Sequence, residues 1–117
     1  MKTEIGLEQG KFLVKLARDA IEFYLRTGQK KESEKRGGVT EPRGVFCTLN
    51  IYPSSDLRGC IGLPYPSKPL VEAVVEAAVS STQDPRFPPL ELDELNKVTV
   101  EISILTTPEL IKVNKPK

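Results

Sequence analysis

Apolar residues recur every three to four positions through the first quarter of the chain. They fall at Leu13, Leu16, Ala17, Ala20 and Tyr24. This spacing places them on one stripe of a helix, so the pattern predicts a helix over residues 7–27. Gly28 can end that helix, because glycine adopts the left-handed conformation common just beyond helix ends. The charged stretch that follows, residues 29–38, is predicted to be a mobile loop.

Strict alternation of apolar and polar residues replaces the helical period in three later segments. Residues 45–51 and 57–63 both alternate and are separated by a short turn, which predicts a β-hairpin. Residues 97–105 alternate in the same way and predict a third strand.

A second helix is predicted between the hairpin and the third strand. Residues 68–83 are apolar on nearly every side, which is typical of a buried helix, and Ser67 is the expected N-cap. Three prolines within residues 84–89 predict a non-helical segment after it. These elements together predict an α+β domain, in which an antiparallel sheet carries helices packed against one face.

The composition limits the kinds of molecule that the protein could bind and the compartment in which it works. The chain has 117 residues, and its 17 Lys and Arg nearly balance its 16 Asp and Glu. Such a charge balance gives no long-range attraction to nucleic acid or to anionic membranes. No stretch resembles a secretory signal or a membrane span. The two cysteines lack disulfide-scaffold spacing, so we expect free thiols and a cytoplasmic protein.

The chain contains no histidine, which excludes a Cys-His dyad and removes the commonest metal ligand. Two cysteines alone make a poor zinc site, because structural zinc takes four nitrogen or sulfur ligands. We therefore predict neither a bound metal nor a cofactor.

The expected hairpin register defines the candidate chemistry. If the odd-numbered apolar residues of both strands face the core, Arg58 and Cys60 share the other face with Thr48 and Asn50. A guanidinium beside a thiol favours the thiolate, which makes Cys60 a candidate nucleophile. Cys47 would face the core as an inert apolar residue. The alternative is that Cys60 is an ordinary half-buried strand residue.

The remaining polar residues of this region also have two interpretations. Glu101 and Asp84 are the carboxylates that could act as a base, or they could form salt bridges with Arg58 or Arg86.

Two glycines flank the candidate cysteine. Gly59 and Gly62 match the glycine loop of an RNA-binding module, but that loop joins helices and this segment is predicted to be a strand. They are better explained by a bulge or by the close approach of a ligand or another segment.

Four motifs in order resemble the AMMECR domain family, found in archaea, bacteria and eukaryotes. They are Gly44 to Leu49, Leu57-Arg58-Gly59-Cys60-Ile61-Gly62, Asp84 to Leu90, and Val100 to Thr106. The resemblance implies a two-part α/β architecture with a cleft where the signature strand meets the Asp84 to Leu90 segment. It also implies that residues 1–117 form a single domain that is incomplete at its C-terminus. Because the rest would supply sheet partners, a stable monomer is not expected and a homo-oligomer remains open.

Two functions remain open, and whether the protein is an enzyme is not decided. The first is a small-molecule or catalytic cleft with Cys60 as nucleophile; its ligand-binding residues would be Arg58, Gly59, Gly62, Thr48, Asp84, Arg86 and Glu101. The second is a protein-interaction or regulatory module in which the signature is structural. Nucleic-acid binding is disfavoured by the charge balance.

Overall fold

The computed structural model describes residues 7–32 and 41–105. Its elements are α1 (Leu7–Thr27), β1 (Val45–Ile51), β2 (Leu57–Leu63), α2 (Leu70–Ser81), a 3-10 helix (Leu92–Lys97) and β3 (Val98–Ile104). The bounds of α1, β1 and β2 agree with the prediction, and β3 is one residue shorter at each end. The short 3-10 helix was not predicted. Most of the expected mobile loop, residues 33–38, lies outside the described residues.

The sheet has three antiparallel strands in the order β2-β1-β3. Both α-helices pack on the face to which β1 directs its odd-numbered residues, and this confirms the predicted fold class. The strand residues at the centre of the core are Val45, Cys47 and Leu49, all with no exposed surface. The even-numbered residues of β1 face the opposite side, called here the outer face of the sheet.

The helix α1 follows its sequence pattern closely. The predicted stripe residues Leu13, Leu16, Ala17 and Ala20 are buried against α2 and the sheet together with Ile21, while Tyr24 is only half-buried. Gly28 has φ of +78° and its amide donates to the Tyr24 carbonyl over 2.7 Å, so glycine ends the helix as expected.

The hairpin register changes partway along β2. Odd residues pair with odd ones from Val45 and Leu63 to Leu49 and Gly59, as predicted, but Asn50 then pairs with Leu57. Arg58 is thus an extra residue without a partner on β1, which is the arrangement of a β-bulge. The bulge turns the end of β2 away from the core, so the prediction that Leu57 is buried was wrong: it is 40% exposed.

The start of α2 also differs from the prediction. The helix begins at Leu70 after Pro69, which occupies the N-cap position with extended dihedrals and no side-chain cap, so Ser67 is not the cap. Proline disfavours helical conformation in the residue before it, which excludes Lys68 from the helix. The Leu70 amide instead donates to the Glu41 carbonyl over 3.1 Å. No helix among the described residues is long and apolar enough to cross a membrane.

Candidate functional site

The proline-rich segment after α2 lies along the outer edge of β2, beside Cys60. The Cys60 amide donates to Oδ2 of Asp84 over 2.9 Å, and Nη2 of Arg86 donates to the Cys60 carbonyl over 3.3 Å. One carboxylate and one guanidinium therefore replace the adjoining strand that would otherwise bind this edge. Both the amide and the carbonyl of Cys60 are therefore hydrogen-bonded by this segment.

Asp84 is the buried centre of this contact, with 3% of its surface exposed. Besides the Cys60 amide, it accepts from the backbone amide of Arg86 over 3.0 Å and from Nε and Nη2 of the same residue over 3.0 and 2.7 Å. These hydrogen bonds, led by those from the Arg86 side chain, hold the pKa of Asp84 well below its usual range. Asp84 is ionised and fully engaged, which makes it a poor base.

Arg86 is oriented by Asp84 but remains open to solvent. Its side chain is 59% exposed, and its guanidinium carbon lies 5.6 Å from the centre of the Phe87 ring. The ion pair with Asp84 raises the pKa of Arg86, so the group stays cationic. An exposed guanidinium in a defined orientation is suited to binding a carboxylate or phosphate.

The Cys60 side chain lies on the outer face, as the register predicted. Its Sγ is 3.3 Å from Oγ1 of Thr48, its cross-strand partner. Thr48 is in turn the partner of Glu101 on β3, which is exposed. A thiol, a hydroxyl and a carboxylate thus occupy one row across the three strands. This row brings together three of the predicted site residues.

Cys47 lies on the opposite face, in the core, as predicted. It has no exposed surface, and Oγ of Ser81 is 3.6 Å from its Sγ. Burial raises the pKa of Cys47 to about 11, so this thiol stays protonated at neutral pH. The two free cysteines therefore have different environments.

Arg58 does not have the partner that its sequence position suggested. Its Nε and Nη2 donate to the two carboxylate oxygens of Glu94 over 3.2 and 2.9 Å, and its Nη1 donates to the Pro88 carbonyl over 2.9 Å. Neither Glu101 nor Asp84 pairs with Arg58, so that alternative was wrong, whereas the alternative ion pair of Asp84 with Arg86 is confirmed. The bulge directs Arg58 towards the 3-10 helix, and the guanidinium that contacts Cys60 belongs to Arg86. Arg58 therefore fixes the proline-rich segment to β2.

Glu94 is the residue of this region that sequence reasoning missed. It also accepts from the Glu91 amide over 2.8 Å, as part of a reciprocal cap on the 3-10 helix. Two glutamates three residues apart were the available signal, because that spacing is typical of a capping box. The pKa of Glu94 is lowered chiefly by its hydrogen bonds from Arg58 and also by the one from the Glu91 amide.

The two signature glycines allow close packing. A Cβ at Gly59 would overlap the carbonyl oxygen of Ser81 at the end of α2, and one at Gly62 would overlap the ring of Phe46. Both explanations open for these glycines therefore apply: Gly59 and Gly62 each admit another segment, and Gly59 also adjoins the bulge at Arg58. Among the described residues, no group of three or more Cys, Asp or Glu could hold a metal ion.

Known proteins resemble this chain in sequence and in fold. A sequence model of the AMMECR1 family matches residues 14–117. The protein MJ0810 of Methanocaldococcus jannaschii is 57% identical over 97% of this chain, and PH0010 of Pyrococcus horikoshii is 53% identical over 96%. A crystal structure of the uncharacterised Pyrococcus horikoshii protein superposes with a TM-score of 0.83, over 87% of this chain and 53% of that one. The chain spans 57% of the length of each of these two relatives. It belongs to the AMMECR1 family.

Proposed function

We propose that the outer face of the sheet around Cys60 and Arg86 binds a small ligand with a carboxylate or phosphate group. The observation that carries this proposal is the double contact on the Cys60 backbone, made by Asp84 and Arg86. It holds the backbone of Cys60 beside an exposed guanidinium, which a purely packing role for Cys60 would not need.

Each residue of the site has a distinct role in this proposal. Arg86 binds the anionic group, and Asp84 keeps the guanidinium oriented. Thr48 hydrogen-bonds the Cys60 thiol, and Glu101 is the carboxylate at the third position of the same row, on the far side of Thr48. Arg58 takes no part in ligand binding, because its contacts are with Glu94 and the proline carbonyls.

A second candidate function is supported by a separate observation. Three residues of the signature join segments of the fold. Arg58 forms the forked ion pair with Glu94, Gly59 leaves room for the Ser81 carbonyl, and Gly62 leaves room for the Phe46 ring. This favours a protein-interaction module in which the signature holds the fold. In that case Cys60→Ser would leave partner binding intact and lower stability, whereas a ligand site predicts normal folding with lost ligand binding.

Paired alkylating reagents test the proposed site directly. Iodoacetate carries a carboxylate and iodoacetamide does not, so the ratio of their rates at one thiol reports a nearby cation. We expect the ratio at Cys60, measured by site-resolved mass spectrometry, to exceed that of a cysteine in an unfolded peptide. Cys47 should be slow with both reagents, because it is buried.

Two matched variants complete this experiment. Arg86→Gln should reduce the ratio at Cys60 to the peptide value, while Lys15→Gln, a change at an exposed cation on α1, should leave it unchanged. If Arg86→Gln lowers stability without changing the ratio, the contact is structural and the ligand site is wrong. Thermal unfolding of each variant separates these results.

A further inference from the structure

The proline-rich segment after α2 is attached to β2 at two points. Near its start, Asp84 and Arg86 bind the amide and the carbonyl of Cys60. Near its end, the Pro88 carbonyl accepts a hydrogen bond from Nη1 of Arg58 over 2.9 Å. Arg58 and Cys60 are two residues apart on β2, so both attachments lie along the same edge of that strand.

Prolines explain why a side chain supplies the second attachment. Pro88 and Pro89 have no amide hydrogen, so this part of the segment cannot donate to β2 as an adjoining strand would. Their carbonyls still need donors. The Arg58 guanidinium serves both, with Nη2 at 3.4 Å from the Pro89 carbonyl oxygen, and only 12% of the side chain is exposed. The end of the segment is thus held on β2 through Arg58.

Glu94 fixes the direction of Arg58. Its two carboxylate oxygens accept from Nε and Nη2 of Arg58 over 3.2 and 2.9 Å, and this fork sets the plane of the guanidinium. Glu94 is itself held, because Oε1 also accepts from the Glu91 amide at the start of the 3-10 helix over 2.8 Å. The fixed plane directs Arg58 at the proline carbonyls.

The connection from Pro88 back to Arg86 is short and stiff. Only Phe87 separates them, and its amide donates to the Asp84 carbonyl over 3.0 Å. Because Phe87 precedes a proline, its backbone conformations are restricted as well. A displacement of Pro88 is therefore passed on to the backbone of Arg86.

We propose that Arg58 and Glu94 are positioning residues, which set the place of the Arg86 guanidinium beside Cys60 without touching the ligand. The inference rests on the proposed function, since it concerns the same anion-binding site. The pKa of Arg86 is raised chiefly by Asp84 and also by the Cys60 side chain, so the guanidinium and the thiol interact electrostatically. A shift of Arg86 therefore changes how strongly an anion is attracted to the thiol.

Glu94→Gln separates positioning from a simple effect of charge. The loss of a negative charge would by itself attract iodoacetate more, and so raise the ratio of its rate to that of iodoacetamide at Cys60. Positioning predicts the opposite change. The ratio should fall by about twofold, because the amide nitrogen of glutamine cannot accept from Arg58 and the fork is lost.

Arg58→Lys provides a second test in which the charge is kept. Charge alone predicts an unchanged ratio at Cys60. Positioning predicts a fall similar to that of Glu94→Gln, because an ammonium cannot form the fork. If Arg58→Lys does not fold, Glu94→Gln alone decides between the two explanations.

Asp93→Asn is the matched control, because Asp93 is an exposed carboxylate on the 3-10 helix next to Glu94. It removes the same charge without removing the fork, so the ratio should stay unchanged or rise slightly. Hydrogen exchange of the full 117-residue chain adds a second measurement. The Cys60 amide should exchange faster in both test variants, since its acceptor is Asp84 on the same segment. The amides of α1 report any general loss of stability.

Arg86→Gln distinguishes failure of this role from failure of the site. If Arg86→Gln lowers the ratio but Arg58→Lys and Glu94→Gln do not, the anion site is retained and the positioning role is wrong. A rise of the ratio in Glu94→Gln would also overturn the role, since charge alone would then explain the effect. If the wild-type ratio equals that of an unfolded peptide, the proposed function fails and this role fails with it. Thermal unfolding confirms that each variant is folded at the assay temperature.

Discussion

Arg58 and Glu94 form a forked ion pair across 36 residues of sequence, with Nη2 to Oε1 at 2.9 Å and Nε to Oε2 at 3.2 Å. The fork joins the bulge of β2 to the 3-10 helix before β3. Since the side chain of Arg58 is only 12% exposed, the pair is shielded more than an ordinary surface contact. It holds the proline-rich segment against the strand that carries Cys60.

A double-mutant cycle on Arg58 and Glu94 should give a coupling free energy of about 1 kcal/mol, between the values for exposed and buried charged hydrogen bonds. Arg58→Lys should lose most of it, because an ammonium cannot reproduce the fork. Urea unfolding provides the free energies. The exposed pair Lys15 and Asp19, 3.1 Å apart, is the control and should couple by less than about 0.5 kcal/mol. Equal coupling in the two cycles would contradict the structural role of the fork.

Gly59→Ala should destabilise the protein by about 2 to 3 kcal/mol, because the added methyl group meets the Ser81 carbonyl and backbone cannot move aside cheaply. Gly10→Ala is the matched control. Gly10 lies in α1 with no atom within 4 Å of an added Cβ, so alanine there should stabilise by about 0.5 to 1 kcal/mol. If thermal unfolding shows that Gly59→Ala lowers stability and Gly10→Ala raises it, the packing explanation is supported. A small effect at Gly59 would show that α2 can shift.

Gly62→Ala should also destabilise, but in a way that a second substitution can relieve. The obstacle at Gly62 is the Phe46 ring, a side chain, rather than backbone. Phe46→Leu should therefore cost less stability in the Gly62→Ala background than in the wild type. Unfolding free energies of the four proteins measure the difference. Strict additivity would argue against this contact.

Asp84 should make the free energy of unfolding depend on pH in the acidic range. Its pKa is lowered in the folded state, chiefly by the Arg86 side chain, so its contribution is fully present above the unfolded pKa of about 3.9. The contribution is lost as the pH falls through the lower folded value. Asp84→Asn lacks this group, so the stability gap between wild type and variant should stay constant near neutral pH. It should narrow below about pH 4. If the stability difference between the wild type and Asp84→Asn stays unchanged as the pH is lowered, Asp84 is not ionised in the folded state and the prediction is wrong.

Local periodicity determined much of this fold. The bounds of α1, β1 and β2 follow from apolar spacing, because one buried face imposes a period of 3.6 on a helix and 2 on a strand. The same alternation placed Cys47 in the core and Cys60 beside Thr48 on the outer face. Each of these features depends on which face of one element is buried, and the residues of that element encode it.

Contacts between distant segments were decided only by the tertiary structure. The bulge at Arg58 arises from how β1 and β2 pair, so the alternation of β2 alone could not reveal that Leu57 is exposed or that Arg58 turns to Glu94. The family resemblance implied that the signature strand meets the Asp84 to Leu90 segment, but not which side chains bind the Cys60 backbone, since two carboxylates, Glu101 and Asp84, were open as partners. Charges pair according to distance in space. Sequence supplies the candidates, and packing selects among them.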